Sequence, residues 1–432
     1  MILENGAEIV PPPEPGKDVR SPLAITTRQR RILTLVSALL FAAGLANYRP
    51  WRGFSSDRRV EFNAEPIRIA HNLRETGNFA NPFSPLPTGP TAHIAPGFPA
   101  LQFLLMETFG DGAAGWLALQ TLPVVALCLE LAVLPWFARG IGLSFWTGAL
   151  AAVFGLLNKP GSEPQWEAHL AGLLGLFLCA VVCRFELNRQ SLVLALGTGV
   201  LSGALFYFQP VFALPYVCWV ISFLRRGHFT RSVLIISLVP AALCLPWSLR
   251  NYWTLGTPEI RDNFGLELYV SFNDCAPYGL KENLASLCHG AHHPNSSVEE
   301  AADVKRLGEF NYNRARFRRA CGWILAHPAV ALALIAKRFW FFWFPSDGGL
   351  SGYRLERARL LYQHIFTILA ICGLYWSWKR YCLRFVHLCF LLFPMVYYVV
   401  EFDPRYRYPI LWMTWLLAAY ATLELFARCR RS

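Results

Sequence analysis

At 432 residues, with 54% hydrophobic, 15% aromatic and only 16% charged residues, the chain is too apolar for an ordinary soluble protein. Its formal net charge is +12. In so apolar a sequence that excess speaks for membrane orientation and contact with anionic lipids, and not for nucleic acid.

The first 31 residues carry Pro11, Pro12 and Pro13, the acidic Glu4, Glu8 and Glu14, and then Arg28, Arg30 and Arg31. They lack the basic start and short apolar core of a signal peptide, so residues 1–31 read as a disordered cytoplasmic tail before an uncleaved helix. Residues 32–432 read as a single membrane-embedded domain. Apolar runs near the length of about 20 residues needed to cross hydrocarbon recur at 32–48, 114–137, 142–158, 167–184, 190–207, 209–225, 231–249, 358–378, 382–400 and 408–427. The expected fold is therefore all-α and polytopic, with about ten spanning helices.

Orientation follows from short connections. With the tail inside, the inner loops carry Arg139, Arg184, Arg189, Arg225, Arg226, Arg231, Lys379, Arg380 and Arg384, and the C-terminus carries Arg428, Arg430 and Arg431. The outer connections 159–166 and 208–209 are nearly free of Lys and Arg, although 401–407 holds Arg405 and Arg407. This is the positive-inside pattern. It predicts a bacterial inner-membrane protein with both termini inside and two long outer loops, 49–113 and 250–357. Residues 98–110 are apolar but short and contain Glu107, and crossing there would invert every later loop. They are expected to lie in the outer interface. Residues 320–344 are interrupted by His327-Pro328 and Lys337-Arg338, and form either a second interfacial element or a re-entrant hairpin.

Between two very apolar regions lies a polar stretch, 61–99, with Glu61, Glu65, His71, His93 and a rigid Pro/Gly run. A carboxylate and a histidine held against a bilayer surface suggest a reaction site. Most cysteines sit inside spans as small apolar residues. Cys275 and Cys288 lie in the second outer loop, thirteen residues apart, as either a disulfide in an oxidising compartment or two buried thiols.

Four blocks give the chain its likeness to a known class. They are Glu65 with Ile69-Ala70-His71-Asn72-Leu73 and Gly77-Asn78-Phe79; Thr91-Ala92-His93-Ile94-Ala95-Pro96-Gly97-Phe98-Pro99; Pro246-Trp247-Ser248-Leu249-Arg250-Asn251-Tyr252 with Asn263-Phe264-Gly265-Leu266-Glu267; and Asp403-Pro404-Arg405-Tyr406-Arg407-Tyr408-Pro409. In this order and topology they resemble the GT-C membrane glycosyltransferases, in the branch of the protein mannosyltransferases and the bacterial aminoarabinose transferase of lipid A. The chain departs from that pattern in having Phe62 between its carboxylates and His93 near an expected lysine.

The resemblance implies a polyprenyl-phosphate-sugar donor, a lipid, glycan or protein acceptor, and inverting transfer on the outer face. The chemistry then needs a base, cations at the leaving phosphate and an apolar groove. Glu65, with Glu61 second, is the candidate base; against that, either could pair at the surface with Arg58, Arg59 or Arg68. Arg250, at the outer end of a span, is the first candidate for the phosphate, since guanidinium binds it bidentately. His93, Arg405 and Arg407 are further candidates, the arginines being equally readable as interfacial anchors. Asn251, Trp166, Glu167 and Tyr406 would complete the substrate surface, with Trp166 offering a stacking face to sugar. The metal is left unknown; a divalent ion between loop carboxylates and His93 is one option. The run Cys288-His289-Gly290-Ala291-His292-His293 fits no established zinc spacing. The aromatic run 339–344 is expected to line the groove. Glu163 and the in-span Glu130 are lesser candidates. The rival readings are a flippase or transporter of a lipid-linked sugar, or a lapsed enzyme that only binds.

Overall fold

The computed structural model describes residues 26–49, 64–161, 166–225, 231–346, 354–380 and 383–430. Glu61, Glu163, Asp57, Arg58, Arg59 and most of the tail lie outside these residues. Among the described residues the chain is helical throughout, with only isolated bridges between extended segments.

The elements run α1 (Thr27–Tyr48), α2 (Glu65–Thr76), α3 (Gly97–Phe109), α4 (Ala113–Gly140), α5 (Phe145–Asn158), α6 (Ala168–Leu187), α7 (Leu192–Phe208), α8 (Ala213–Leu224) and α9 (Arg231–Leu255). The second long connection supplies α10 (Phe264–Ser271), α11 (Leu280–Ala285), α12 (Cys288–His292), α13 (Val298–Leu307), α14 (Glu309–Ala326) and α15 (Pro328–Trp343). The chain closes with α16 (Arg354–Ser377), α17 (Arg384–Leu392), α18 (Met395–Val399) and α19 (Tyr408–Cys429).

Every one of the ten apolar segments is helical. Six helices (α1, α4, α6, α9, α16 and α19) are long and apolar enough to cross a membrane, and α5, α7, α8 and the α17–α18 pair are shorter apolar helices. This is a polytopic all-α membrane protein. The sequence marks the helix starts. Thr26 accepts from the Gln29 N–H and closes a capping box at α1, while Ser144 and Ser191 cap α5 and α7. The 98–110 segment is the short helix α3, packed on α2, α4 and α7. At His327-Pro328 the chain bends by 107° between α14 and α15, because Pro328 cannot supply an N–H to continue the helix.

Buried α19 is the axis of the bundle, with every side chain from Tyr408 to Ala421 inside. Its neighbours approach closely through small residues. A Cβ on Gly373 of α16 would stand 2.0 Å from the Leu417 carbonyl oxygen, and one on Gly148 of α5 2.1 Å from that of Leu134.

The two long connections fold onto each other. The Glu309 carboxylate accepts hydrogen bonds from the Thr91 hydroxyl and, at 2.6 Å, from the Ala92 N–H. The Asp262 N–H donates to the Ala92 carbonyl at 2.8 Å, and Arg68 donates to Asn295 and the Pro82 carbonyl. Cys275 and Cys288 are disulfide-bonded, which ties α12 to the end of α10.

Candidate active site

A cavity of about 500 Å³ opens where these two connections meet the ends of the bundle. Its polar lining comes from six places in the chain. Glu65 is the first residue of α2, fixed there by Pro66 at the start and by Gly77, whose left-handed φ of 73° ends the helix. His93 lies in the Pro/Gly run, held by the loop–loop bonds to Glu309 and Asp262. Trp166 and Glu167 precede α6. Arg261 and Asn263 lead into α10, which carries Glu267, and α12 carries His289 and is followed by His293. Glu401, Arg405 and Tyr406 come from the turn before α19. That last turn is pinned by a bridge in which the Leu280 N–H donates to the Phe402 carbonyl and the Phe402 N–H to that of Tyr278, both at 2.9 Å. Pro210, Val211, Val396 and Val400 give the apolar part of the wall.

Glu65, His93 and His293 are all buried, and each offers a ligand atom such that the three atoms lie within 4.8 Å of one another. Burial, with the charges of His293 and Arg261, holds the His93 imidazole well below its usual pKa. Burial brings His293 down to about 4 and, helped by His293, brings His289 to about 3. These imidazoles stay neutral, which is the form that binds a metal. His93 Nδ1 is buried with no hydrogen-bond partner. The donor set of one carboxylate and two imidazoles, with an orphaned ring nitrogen among them, fits a divalent ion such as zinc.

Opposite this group stand two guanidiniums. The Arg261 Nε donates to the His93 carbonyl at 3.2 Å and its Nη1 is 3.9 Å from Glu167. Arg405 lies over the Trp166 ring, 3.8 Å from the centroid, with its Nε 3.6 Å from Asp403. Tyr406 stacks on Tyr397 at 4.6 Å. Burial pushes the Glu267 carboxyl up, with Arg261 opposing and Glu65 reinforcing the shift. Burial likewise brings Glu401 to about 7, although the Asn283 amide donates to it. The cavity thus sets cations, neutral imidazoles and carboxyls of raised proton affinity side by side.

Of the residues singled out from sequence, the structure gathers Glu65, His93, Trp166, Glu167, Arg405 and Tyr406 in this one cavity. Three others are placed elsewhere. Arg250 faces a separate, mostly apolar groove of about 760 Å³. Its Nη1 donates to the Thr91 carbonyl and Asn251, its Nη2 to the Phe79 carbonyl, and it packs on the Trp247 and Phe79 rings. It is a clamp between loop one and α9, with its guanidinium donating to backbone carbonyls and to Asn251. Asn251 is fully buried, donating to the Glu259 carbonyl. Arg407 is buried on the Phe342 and Trp343 carbonyls and the Thr367 hydroxyl. The 339–344 run packs mainly against α18, as Phe339 and Phe342 do on Tyr398, and does not line the cavity. Sequence reasoning missed Arg261, Glu267, His289, His293 and Glu401 as site residues. The one signal for Glu267 was its place at the end of the Asn263–Glu267 block, and for His293 its place in a histidine-rich run.

The chain is thus an apolar helical bundle carrying two long connections, folded onto each other, around a polar chamber. No protein-family model matches the chain, and no curated protein matches its sequence. Solved structures do. The Archaeoglobus fulgidus oligosaccharyltransferase in the apo form superimposes with a TM-score of 0.54 at 13% identity over 93% of this chain and 51% of that one. The same enzyme in complex with Zn and sulfate matches with a TM-score of 0.50 at 14% identity, over 91% and 49%. Archaeal oligosaccharyltransferase AglB from that organism, in complex with an inhibitory peptide and a dolichol-phosphate, gives 0.48 at 13% identity, over 93% and 51%. The chain spans about half the length of these structures, and at such identity the likeness shows a shared fold.

Proposed function

We propose that the protein is an inverting glycosyltransferase that moves a sugar from a polyprenyl-phosphate donor to an acceptor at the outer face of the membrane. The observation that carries this is the single chamber in which Arg261 and Arg405 face the Glu65, His93 and His293 group. The GT-C fold and the zinc and sulfate bound by its structural neighbour support the reading.

Arg405, stacked on Trp166, and Arg261 hold the donor phosphate, and Trp166 and Tyr406 offer aromatic faces to the sugar. Glu65 is drawn toward the two histidines, where a divalent ion bound to them would supply Lewis-acid polarisation. Glu267, whose proton affinity burial and the Glu65 charge raise, is then the candidate proton acceptor. The acceptor oxygen or nitrogen attacks the anomeric carbon and gives its proton to Glu267. The bond from that carbon to the phosphate oxygen breaks, and the polyprenyl phosphate leaves with the electron pair. Two guanidiniums preset at that oxygen stabilise the charge that develops there.

The test is transfer of radiolabelled sugar from polyprenyl-phosphate donors by the purified full chain. Transfer is expected from wild type, and is expected to be lost in Arg405→Ala and Glu267→Gln proteins that retain their melting temperature. Wild-type protein that binds the lipid donor but transfers nothing to water, peptide or lipid acceptors would refute the enzyme.

A further inference from the structure

Away from this chamber, the ends of α1 and α5 flank a small polar pocket of about 410 Å³ lined by Ala46, Asn47, Tyr48, Arg49 and Lys159. The Asn47 Nδ2 donates to the Leu156 carbonyl at 3.1 Å and fixes the end of α1 beside that of α5. Phe154 of α5 stacks on Phe366 of α16 at 4.4 Å, and Arg359 of α16 stands near enough to Lys159 for its charge to act on that ammonium.

Three properties distinguish the pocket. Arg49 and Lys159 are two of the few non-glycine residues with left-handed backbone among the described residues, at φ 46° and 43°. That conformation is costly for a side-chain-bearing residue, and here it terminates two neighbouring helices with a cation at each end. Second, no carboxylate pairs with Arg49, Lys159 or Arg359 among the described residues. The Arg49 Nε donates to the Ala46 carbonyl at 2.8 Å, and its two Nη groups have no hydrogen-bond partner among the described residues. The Lys159 ammonium sits 5.9 Å from the centroid of the Tyr48 ring. Third, the cations act on each other: burial, then the charges of Arg359 and Arg49, lower the Lys159 pKa. Helix C-termini attract single cations through their dipoles. Two such ends and a third arginine, with no carboxylate partner among the described residues, repel one another, and an anion bound among them would relieve that repulsion.

We infer that Arg49, Lys159 and Arg359 form a binding site for a phosphate-bearing anion, separate from the catalytic chamber and independent of the transferase reading. Arginine supplies planar donors to phosphate oxygens and lysine a point charge. Because the pocket lies at the ends of apolar helices, a phospholipid headgroup and a free phosphate both carry the required chemistry.

Native mass spectrometry of the full-length protein in detergent tests this with dioleoylphosphatidylglycerol against dioleoylphosphatidylcholine, and calorimetry with inorganic pyrophosphate forms a second arm. Preferential retention of the anionic lipid is expected. It should fall roughly tenfold in an Arg49→Gln/Lys159→Gln/Arg359→Gln protein, the size of one or two lost charge-assisted contacts. Lys159→Arg should retain it, and so should Arg405→Gln, which alters only the chamber. Pyrophosphate binding with the same variant dependence would support the site and identify a soluble anion as its occupant. Equal retention of the two lipids by wild type with no pyrophosphate binding, or equal anion binding by wild type and the triple variant, would overturn it.

Discussion

Arg405 lies flat over Trp166, with its guanidinium carbon 3.8 Å from the ring centroid, so that residues from opposite ends of the chain form one wall of the chamber. The stack orients the fork of donors and keeps it desolvated. Lysine cannot reproduce a planar stack. Arg405→Lys should therefore weaken phosphate-donor binding by roughly tenfold to a hundredfold, the worth of a charge-assisted bidentate contact. Titration with the polyprenyl-phosphate sugar measures it, and a lysine variant of wild-type affinity would remove Arg405 from the site.

Loss of Glu65, His93 or His293 should each lower zinc affinity by roughly tenfold or more, since even outer-shell partners are worth that. Metal analysis after equilibrium dialysis reads this for Glu65→Gln, His93→Ala and His293→Ala. Because the His293 pKa is about 4, protons compete with the metal only near that value. Zinc occupancy should then persist as pH falls through about 6.5, where an ordinary histidine protonates. Loss of zinc at pH 6 would contradict the site.

Glu309 gives stability a pH dependence with a defined sign. Burial raises its pKa from the usual 4.5 to about 8, even though Thr91 and Ala92 donate to it. The folded state therefore holds a proton that the unfolded state has released between these values. Its contribution is fully present below 4.5 and is lost as pH rises through about 8. Glu309→Gln should flatten the melting temperature across that window. An unchanged slope would mean that another group sets it.

The Cys275–Cys288 bond closes a loop of 13 residues and anchors α12, which carries His289 and precedes His293. A Cys275→Ser/Cys288→Ser protein should lose about 3 kcal/mol of stability, the loop-closure value for such a span. It should also bind zinc more weakly, because α12 is freed. Wild-type zinc affinity in that protein would separate the disulfide from the site.

Gly265 is the contact point between α10 and α14. A Cβ there would meet the Asn313 carbonyl oxygen at 2.1 Å. Backbone cannot yield as a side chain can, so Gly265→Ala should cost about 1–3 kcal/mol as overpacking and displace Glu267. Thermal denaturation together with a transfer assay would detect both effects.

Much of the architecture was legible in sequence. Apolar runs mark all ten bundle segments as helix, although only six of those helices among the described residues reach spanning length, because hydrocarbon demands uninterrupted apolar helix. The Pro/Gly run around His93 and the caps at Thr26, Ser144 and Ser191 mark local structure through local hydrogen bonds. Glu65, His93, Trp166 and Arg405 stood out for the same reason: each is a polar or aromatic group displayed beside apolar runs.

Only the tertiary structure decided which of these groups share a chamber. Arg250, Arg405 and Arg407 look alike in sequence, each a guanidinium at the end of a span. In the fold Arg250 and Arg407 are consumed by carbonyls of the Thr91, Phe79, Phe342 and Trp343 peptides, whereas Arg405 is held on Trp166 in the cavity wall. Arg261, Glu267, His293 and Glu401 gained their meaning only when the two long connections folded together. Hydrophobic pattern and capping act over a few neighbours along the chain and can be read there. The partner of a buried charge is set by packing between distant segments, and that is a property of the folded molecule alone.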